Sequence, residues 1–526
     1  MDSEENLQVE DPSPHPKHVV VVLLDSLNRH LLGAYGGTEF TTPNLDRFAE
    51  KSVVFENHHT GSLPCMPARH DLLVGALDFP WRPWGSVEIW EDAITFALRQ
   101  AGVTTMLVSD HPHLFECGGE NYHIDFDAWE YVRGHENDPW KTRPDPSWIG
   151  TPALPVDEPR RGHFKYQDSR TWFKSEEDFP GPQTMQAAVR WVITNAGHHE
   201  RSLLVVDEFD PHEPFDTPEP WASMYREQGD DPWMIWPPYV IDGLKNGLIT
   251  EEEGRSLRAA YGAKLSMIDH WFGKLLDAID SSPDSDETAV IICTDHGHYL
   301  GEFDVWGKPG FPIHNTLGHI PMMIRWPGIE PRREQALTTT VDIHATLCDI
   351  YEISVDHRTH GRSLVPLVKQ KVSGVRDHCL SGYWGREVQL VTQDYTYTRG
   401  SVGDGFPLSM WSNRWSTMPV HSRPDIRLPR PDQRAYLDAM PGSSVPVIRQ
   451  PFMQGDFLPF WAYGGLKNEN LLFDRNVDPG ELDNLAAVHG TVQTDVEKSL
   501  VQRLKEALLE INAPNDVLER LGLLGN

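Results

Sequence analysis

The sequence predicts an α/β fold: a large mixed, mostly parallel sheet flanked by helices, with a smaller C-terminal α+β domain. Three observations carry that expectation: four short β-branched runs, stretches of helical length between them, and a change of texture after Val372. HVVVVLLD (18–25) is continuous and apolar, as a strand buried on both faces should be. TTMLVSD (104–110), SLLVVDEFD (202–210) and TAVIICTD (288–295) repeat the design. Helices are expected at Asn44–Lys51, Ala68–Gly75, Ala93–Ala101, Thr184–Asn195 and Glu251–Ile279. Strands that alternate with helices imply a parallel sheet covered on both faces.

Two segments, 133–182 and 213–242, are dense in Pro, Trp and charge and read as long functional or lid-like loops. Beyond Val372 the runs shorten and alternate, as in REVQLVTQDYTYTRG (386–400). A Pro- and Arg-rich stretch (407–451) follows, and a terminal helix fits Val492–Ile511. The expected organisation is an acidic disordered tail over 1–17, a larger domain over 18–370 and a smaller one over 371–526.

Of 526 residues, 39% are hydrophobic and 24% charged, which is a globular composition. The formal net charge of −32 disfavours nucleic acid and anionic membrane as partners. It also means that a site for an anionic substrate must bring its own positive charge. No apolar run is long enough to span a bilayer, and the acidic N-terminus lacks the features of a secretory signal. Five scattered cysteines without framework spacing fit reduced thiols, so a cytoplasmic location is expected.

The chemistry sits where the strands end. The four runs lead into Asp25-Ser26, Asp110-His111-Pro112-His113, Asp210-Pro211-His212-Glu213 and Asp295-His296-Gly297-His298. Parallel sheets bind ligands beyond the carboxyl ends of their strands, so these ends would gather oxygen and nitrogen ligands at one edge. A single Asp at a strand end is commonly just a helix cap; four such ends together make that reading unattractive. A fifth element is Leu63-Pro64-Cys65-Met66-Pro67-Ala68-Arg69. Pro67 suits a first helical turn, which places Cys65 at a helix N-terminus and Arg69 one turn on.

Cys65, Pro67 and Arg69 spell the Cys-x-Pro-x-Arg signal for conversion of cysteine to formylglycine. LLDSLNRHLLGAYGG (23–37), TTPNLDRFAEKSVVFENHHT (41–60), DPHEPFDTPEPW (210–221), CTDHGHYLGE (293–302) and LLFDRNVDPGELDNLA (471–486) accompany it in order. On these motifs the chain resembles the type I sulfatases of the alkaline phosphatase superfamily along nearly its whole length. The resemblance implies an alkaline phosphatase-like fold whose catalytic domain is 18–370. It further implies sulfate-ester hydrolysis with one divalent cation and a formylglycine made from Cys65. Metal ligands would be Asp25, Ser26, Cys65, Asp295 and His296. The hydrated aldehyde would offer one hydroxyl to attack sulfur and a second to expel sulfate. Arg69 and Lys308 would bind the sulfuryl oxygens, His212 would protonate the leaving alkoxide, and His111 or His113 would contact substrate. The implied partners are a small-molecule or sugar sulfate ester and a formylglycine-generating enzyme for maturation.

The chain departs from the family pattern at Ser26, where many members carry a second aspartate, and at His296, where many carry Asn. An imidazole in place of an oxygen ligand makes Mn2+ a rival to the family's usual Ca2+. The Asp-His pair also resembles phosphonate monoester hydrolases, so phosphonate or phosphodiester hydrolysis is the alternative reading. A non-catalytic, metal-stabilised module is a third. His270, His298 and His314 are read as packed, supporting or surface residues. Trp140, Trp148, Trp221 and Trp236 are read mainly as packing under the loops.

Overall fold

The computed structural model describes residues 15–148, 164–226, 234–415, 430–459, 461–462, 464–487 and 494–524. Most of the expected acidic tail, and parts of the 133–182, 213–242 and 407–451 stretches, lie outside these residues.

An eight-stranded sheet runs through the larger part of the chain. Its spatial order is 332–339, 53–59, 322–325, 288–293, 18–24, 202–208, 104–109 and 128–131. Only Met322–Arg325 runs antiparallel to its neighbours. The four β-branched runs are consecutive neighbours at the centre of this sheet, so their carboxyl ends lie side by side.

Alternation along each central strand explains the layering. Val20, Val22 and Leu24 enter one core with Leu204 and Val206, against the helices Pro180–Asn195 and Glu251–Asp280. Val19, Val21 and Leu23 enter the other with Leu203 and Val205, against Cys65–Val74, Ile94–Gln100 and Val341–Tyr351. Because successive side chains point to opposite faces, a strand covered on both sides must be apolar throughout.

The expected helices are all present, with boundaries moved by local chemistry. The helix expected from Thr184 begins at Pro180, since its first turn accepts prolines that have no N–H to lose. Glu251–Asp280 opens with a capping box of Thr250 and Glu253. The helix expected from Ala68 starts at Cys65 and stops at Gly75, whose φ of +76° suits the left-handed end position. The segment 133–182 is less loop-like than expected, because it contains the helix Phe164–Arg170 and the first residues of Pro180–Asn195.

A five-stranded sheet, four of whose strands lie beyond residue 371, has the order 470–474, 395–399, 388–391, 379–383 and 62–63. Its core pairs Leu380, Val388, Leu390 and Tyr397 with Leu500, Leu504 and Leu508 of the helix Asp495–Glu510. The edge strand Ser62–Leu63 belongs to the turn that leads into Cys65, and it pairs in parallel with Cys379–Tyr383. Asp71 ties the same turn to the helix by accepting from Ser62 N at 2.6 Å and Ser62 Oγ at 2.8 Å. Among the described residues no helix is long and apolar enough to cross a membrane.

Gly262 shows how closely the long helix packs: a Cβ there would lie 2.2 Å from the Phe40 ring. Alanine is the better helix former by about 1 kcal/mol, but overpacking a core costs about 1–3 kcal/mol. Gly262→Ala should therefore lower the midpoint of urea denaturation; a raised midpoint would show that the Phe40 contact is slack.

Candidate active site

Asp25 follows the first strand, Asp295 and His296 follow Thr288–Cys293, and Cys65 begins the helix lying over one face. One ligand atom from each of these four buried residues lies within 4.8 Å of those of the others. Cys65 Sγ is 3.3 Å from His296 Nε2, which is 3.3 Å from Asp295 Oδ2. His296 Nδ1 donates to Gly297 O at 2.9 Å, so in the neutral ring the Nε2 lone pair faces the cluster.

Arg69 holds the cluster together. Its Nε and Nη2 fork onto Asp207 at 2.8 and 2.7 Å, and Nη1 donates to Asp295 Oδ2 at 2.9 Å and to Cys65 O at 3.2 Å. Nη2 also lies 3.0 Å from Asp25 Oδ2. Burial opposes the guanidinium charge, but Asp207, Asp25 and Asp295 outweigh it and raise its pKa well above the usual value. Every nitrogen of the group is committed to a protein oxygen. The expectation that Arg69 binds sulfuryl oxygens therefore finds no open edge of the guanidinium.

Asp207 was not singled out in the sequence, although the signal was there. It shares strand parity with Leu203 and Val205, so it faces the Cys65 helix from within a buried strand. A carboxylate at such a position requires a buried cation as partner. Glu213 was also passed over. Its Oε2 is 3.4 Å from His212 Nδ1 and 3.4 Å from His298 Nε2, and its Oε1 accepts from Tyr239.

Ser26 has φ +62°, a left-handed conformation that costs a non-glycine residue energy. The turn aims its N–H at Asp295 Oδ1 (3.1 Å) and its hydroxyl at Asp25 Oδ1 (2.7 Å). Lys308 Nζ donates to the same hydroxyl at 3.1 Å. Ser26 thus links Lys308 to the carboxylates, with one lone pair left over. Lys308 is buried, which works against its charge, yet Glu213, Cys65, Asp25 and Asp295 raise its pKa.

The arrangement fits a divalent cation. Burial and the neighbouring Asp295 push the Asp25 carboxyl well up, and Asp25 Oδ2 makes no hydrogen bond. Asp295 is held below its ordinary value: burial opposes this, but His296 and Arg69 prevail. Among the described residues the Lys and Arg side chains facing Asp25, Asp207, Asp295 and Glu213 are Arg69 and Lys308, a formal excess of two negative charges with the neighbouring histidines neutral.

His212 stacks on Phe209 at 4.1 Å, and its Nδ1 donates to Glu213 O at 2.8 Å. Burial holds its pKa well below the imidazole range; Glu213 acts against that and Lys308 with it. His111 and His113 part company. His111 is fully buried, 3.9 Å from Asp25 Oδ2, with neither ring nitrogen hydrogen-bonded. His113 is clamped between Glu116 and Glu136, the latter at 3.2 Å. His298 donates to Tyr299 O, His314 pairs with Glu481 at 3.0 Å, and exposed His270 lies against Trp221. Trp140, Trp221 and Trp236 pack against the core of the long helix, while Trp148 sits under Lys174.

Two outcomes follow from this geometry. Asp207→Ala removes the fork that neutralises Arg69 and should cost about 3–5 kcal/mol by denaturant unfolding; a cost near zero would mean that Arg69 re-pairs. Burial opposes the His113 charge, but Glu116 and Glu136 prevail and raise its pKa to about 10. Because the folded value exceeds the unfolded one, this contribution is complete below the unfolded imidazole pKa, about 6.5, and drains away as pH rises to about 10. His113→Gln should therefore destabilise most at pH 6 and least near pH 10 in a series of thermal melts.

Comparison with known proteins bears on the family and the fold. Residues 17–353 match the sulfatase family. The choline-sulfatase of Rhizobium meliloti is 28% identical over 374 residues, covering 67% of this chain and 71% of that protein. The arylsulfatase of Clostridium perfringens is 23% identical over 403 residues, covering 69% and 80%. The phosphonate monoester hydrolase of Agrobacterium radiobacter superposes with a TM-score of 0.62 at 18% identity, covering 95% of each chain. The chain belongs to the sulfatase family of sulfuric ester hydrolases.

Proposed function

We propose that the protein hydrolyses a sulfate ester with a formylglycine nucleophile made from Cys65, assisted by one divalent cation. The observation that carries this is the convergence of Cys65 with Asp25, Asp295 and His296 at the carboxyl ends of adjacent strands. Asp25, Asp295 and His296 would hold the cation, with residue 65 and the remaining lone pair of Ser26 as further ligands. When bound, the cation supplies Lewis-acid polarisation; Ca2+ is the family's usual ion, and the His296 imidazole makes Mn2+ its rival. Oxidation of Cys65 by a formylglycine-generating enzyme would supply an oxygen nucleophile with a built-in exit for sulfate.

The chain's own residues then divide the work. Lys308 faces the sulfuryl oxygens with a charge that its carboxylate neighbours keep in place. His111 offers two free ring nitrogens and takes the substrate contact, whereas His113 is held by its two glutamates. Arg69 is a positioning residue that fixes the carboxylates and the first turn of the Cys65 helix. His212 keeps Nδ1 on Glu213 O, so Nε2 is the atom that delivers a proton to the leaving oxygen. The negative charge of the bound ester raises the affinity of His212 for that proton. A small-molecule or sugar sulfate is the proposed substrate.

The decisive experiment is the mass of the tryptic peptide Ser52–Arg69 from protein made alongside a formylglycine-generating enzyme. A peptide lighter by the thiol-to-aldehyde change is expected; an unmodified Cys65 overturns the nucleophile. His212→Asn should lower kcat about 10²–10⁴-fold for an alkyl sulfate. It should matter far less for an aryl sulfate, whose leaving group needs no proton. The Asp295-His296 pair favours one second reading, phosphonate monoester or phosphodiester hydrolysis. Turnover of an aryl phosphonate monoester well above that of the matching aryl sulfate would select it.

A further inference from the structure

With residue 65 still cysteine, the four converging groups offer one sulfur, one imidazole nitrogen and two carboxylate oxygens. That donor set differs from the one left after conversion, which has oxygen in place of sulfur. Thiolate and imidazole together suit Zn2+ and other thiophilic ions, while oxygen-rich sets suit Ca2+ and Mn2+.

The spacing is compatible with a four-coordinate ion. Tetrahedral zinc with ligands at about 2.0–2.3 Å separates an N/O pair by ~3.3 Å and an N/S pair by ~3.5 Å. His296 Nε2 is 3.3 Å from Asp295 Oδ2 and 3.3 Å from Cys65 Sγ. Two further features point at a cation: Asp25 Oδ2 is buried with the Arg69 ion pair at 3.0 Å but no hydrogen bond, and Gly297 O fixes the His296 tautomer with Nε2 directed at the sulfur. Such a fixed second nitrogen is usual for a metal-bound imidazole.

We infer that the unconverted chain is a Zn2+-class metal protein, with Asp25, Cys65, Asp295 and His296 as its four ligands, and that conversion of Cys65 ends this preference. On binding, the Sγ–H bond breaks, its proton leaves to solvent, and the sulfur lone pair passes to the metal; nothing is oxidised. The residue at 65 therefore selects the metal class as well as providing the nucleophile. The inference needs neither conversion of Cys65 nor reaction at sulfur, so its failure would leave the proposed function standing.

Cobalt(II) tests it, as a spectroscopic stand-in for zinc. Chain made without the converting enzyme is stripped with chelator and titrated with Co2+ under anaerobic conditions. An intense near-ultraviolet sulfur-to-cobalt band and tetrahedral visible bands are expected, both abolished by one equivalent of Zn2+. Cys65→Ser, which keeps the size of the side chain, should lose the near-ultraviolet band, and Cys293→Ser should retain it. Zn2+ affinity should fall in Cys65→Ser by at least the ~10–100-fold that losing an outer-shell partner costs. Absence of the band in the folded cysteine form, or its persistence in Cys65→Ser, overturns the inference.

Discussion

Arg69 is buried, and a buried guanidinium survives only if its charge is matched and its nitrogens are bonded. The chain meets that demand with three carboxylates from three adjacent strands: Asp25, Asp207 and Asp295. Much else follows from it. The carboxylates are drawn to one point, the Cys65 helix is fixed over them through the Cys65 carbonyl, and the sulfur is brought onto His296. The charges do not cancel, because carboxylates outnumber cations around residue 65. That surplus is what makes the place suitable for a divalent ion.

The sheet supplies the frame. Four central strands lie in sequence-independent order but in parallel, so every strand delivers its final residues to the same edge. The two apolar faces are packed by helices, which leaves the strand ends as the place where polar groups can meet. The cost of gathering so many carboxylates is visible behind the site as well. Asp210 is neutralised there by Lys264 at 2.6 Å and hydrogen-bonded to His135 at 2.7 Å. Burial and neighbouring carboxylates raise the pKa values of Glu208 and Asp110 well above normal.

An acidic chain that handles an anion needs its positive charge inside. With a net charge of −32, the surface offers no general attraction. Buried Lys308 is such a charge, and the proposed cation would add to it, in surroundings dry enough for a single charge to count heavily. The smaller five-stranded sheet takes part in this too. Its edge strand, Ser62–Leu63, is the run of backbone that turns into Cys65, so Cys65 is held between two sheets.

The sequence by itself determined the strands, the fold class and the motif residues, because each rests on local pattern: β-branched runs, helical spacing, and Cys65, Pro67 and Arg69 in register. It also placed Asp25, Asp295 and His296 at strand ends, where period and length suffice. Tertiary structure decided who touches whom. The order of the strands across the sheet made Asp207 the partner of Arg69 and committed that guanidinium to buried carboxylates. Glu116 and Glu136, on two separate loops, clamped His113 and left His111 open. Those outcomes depend on neighbours far apart in the chain, and on the balance between burial and opposite charge. Residue spacing carries no record of either.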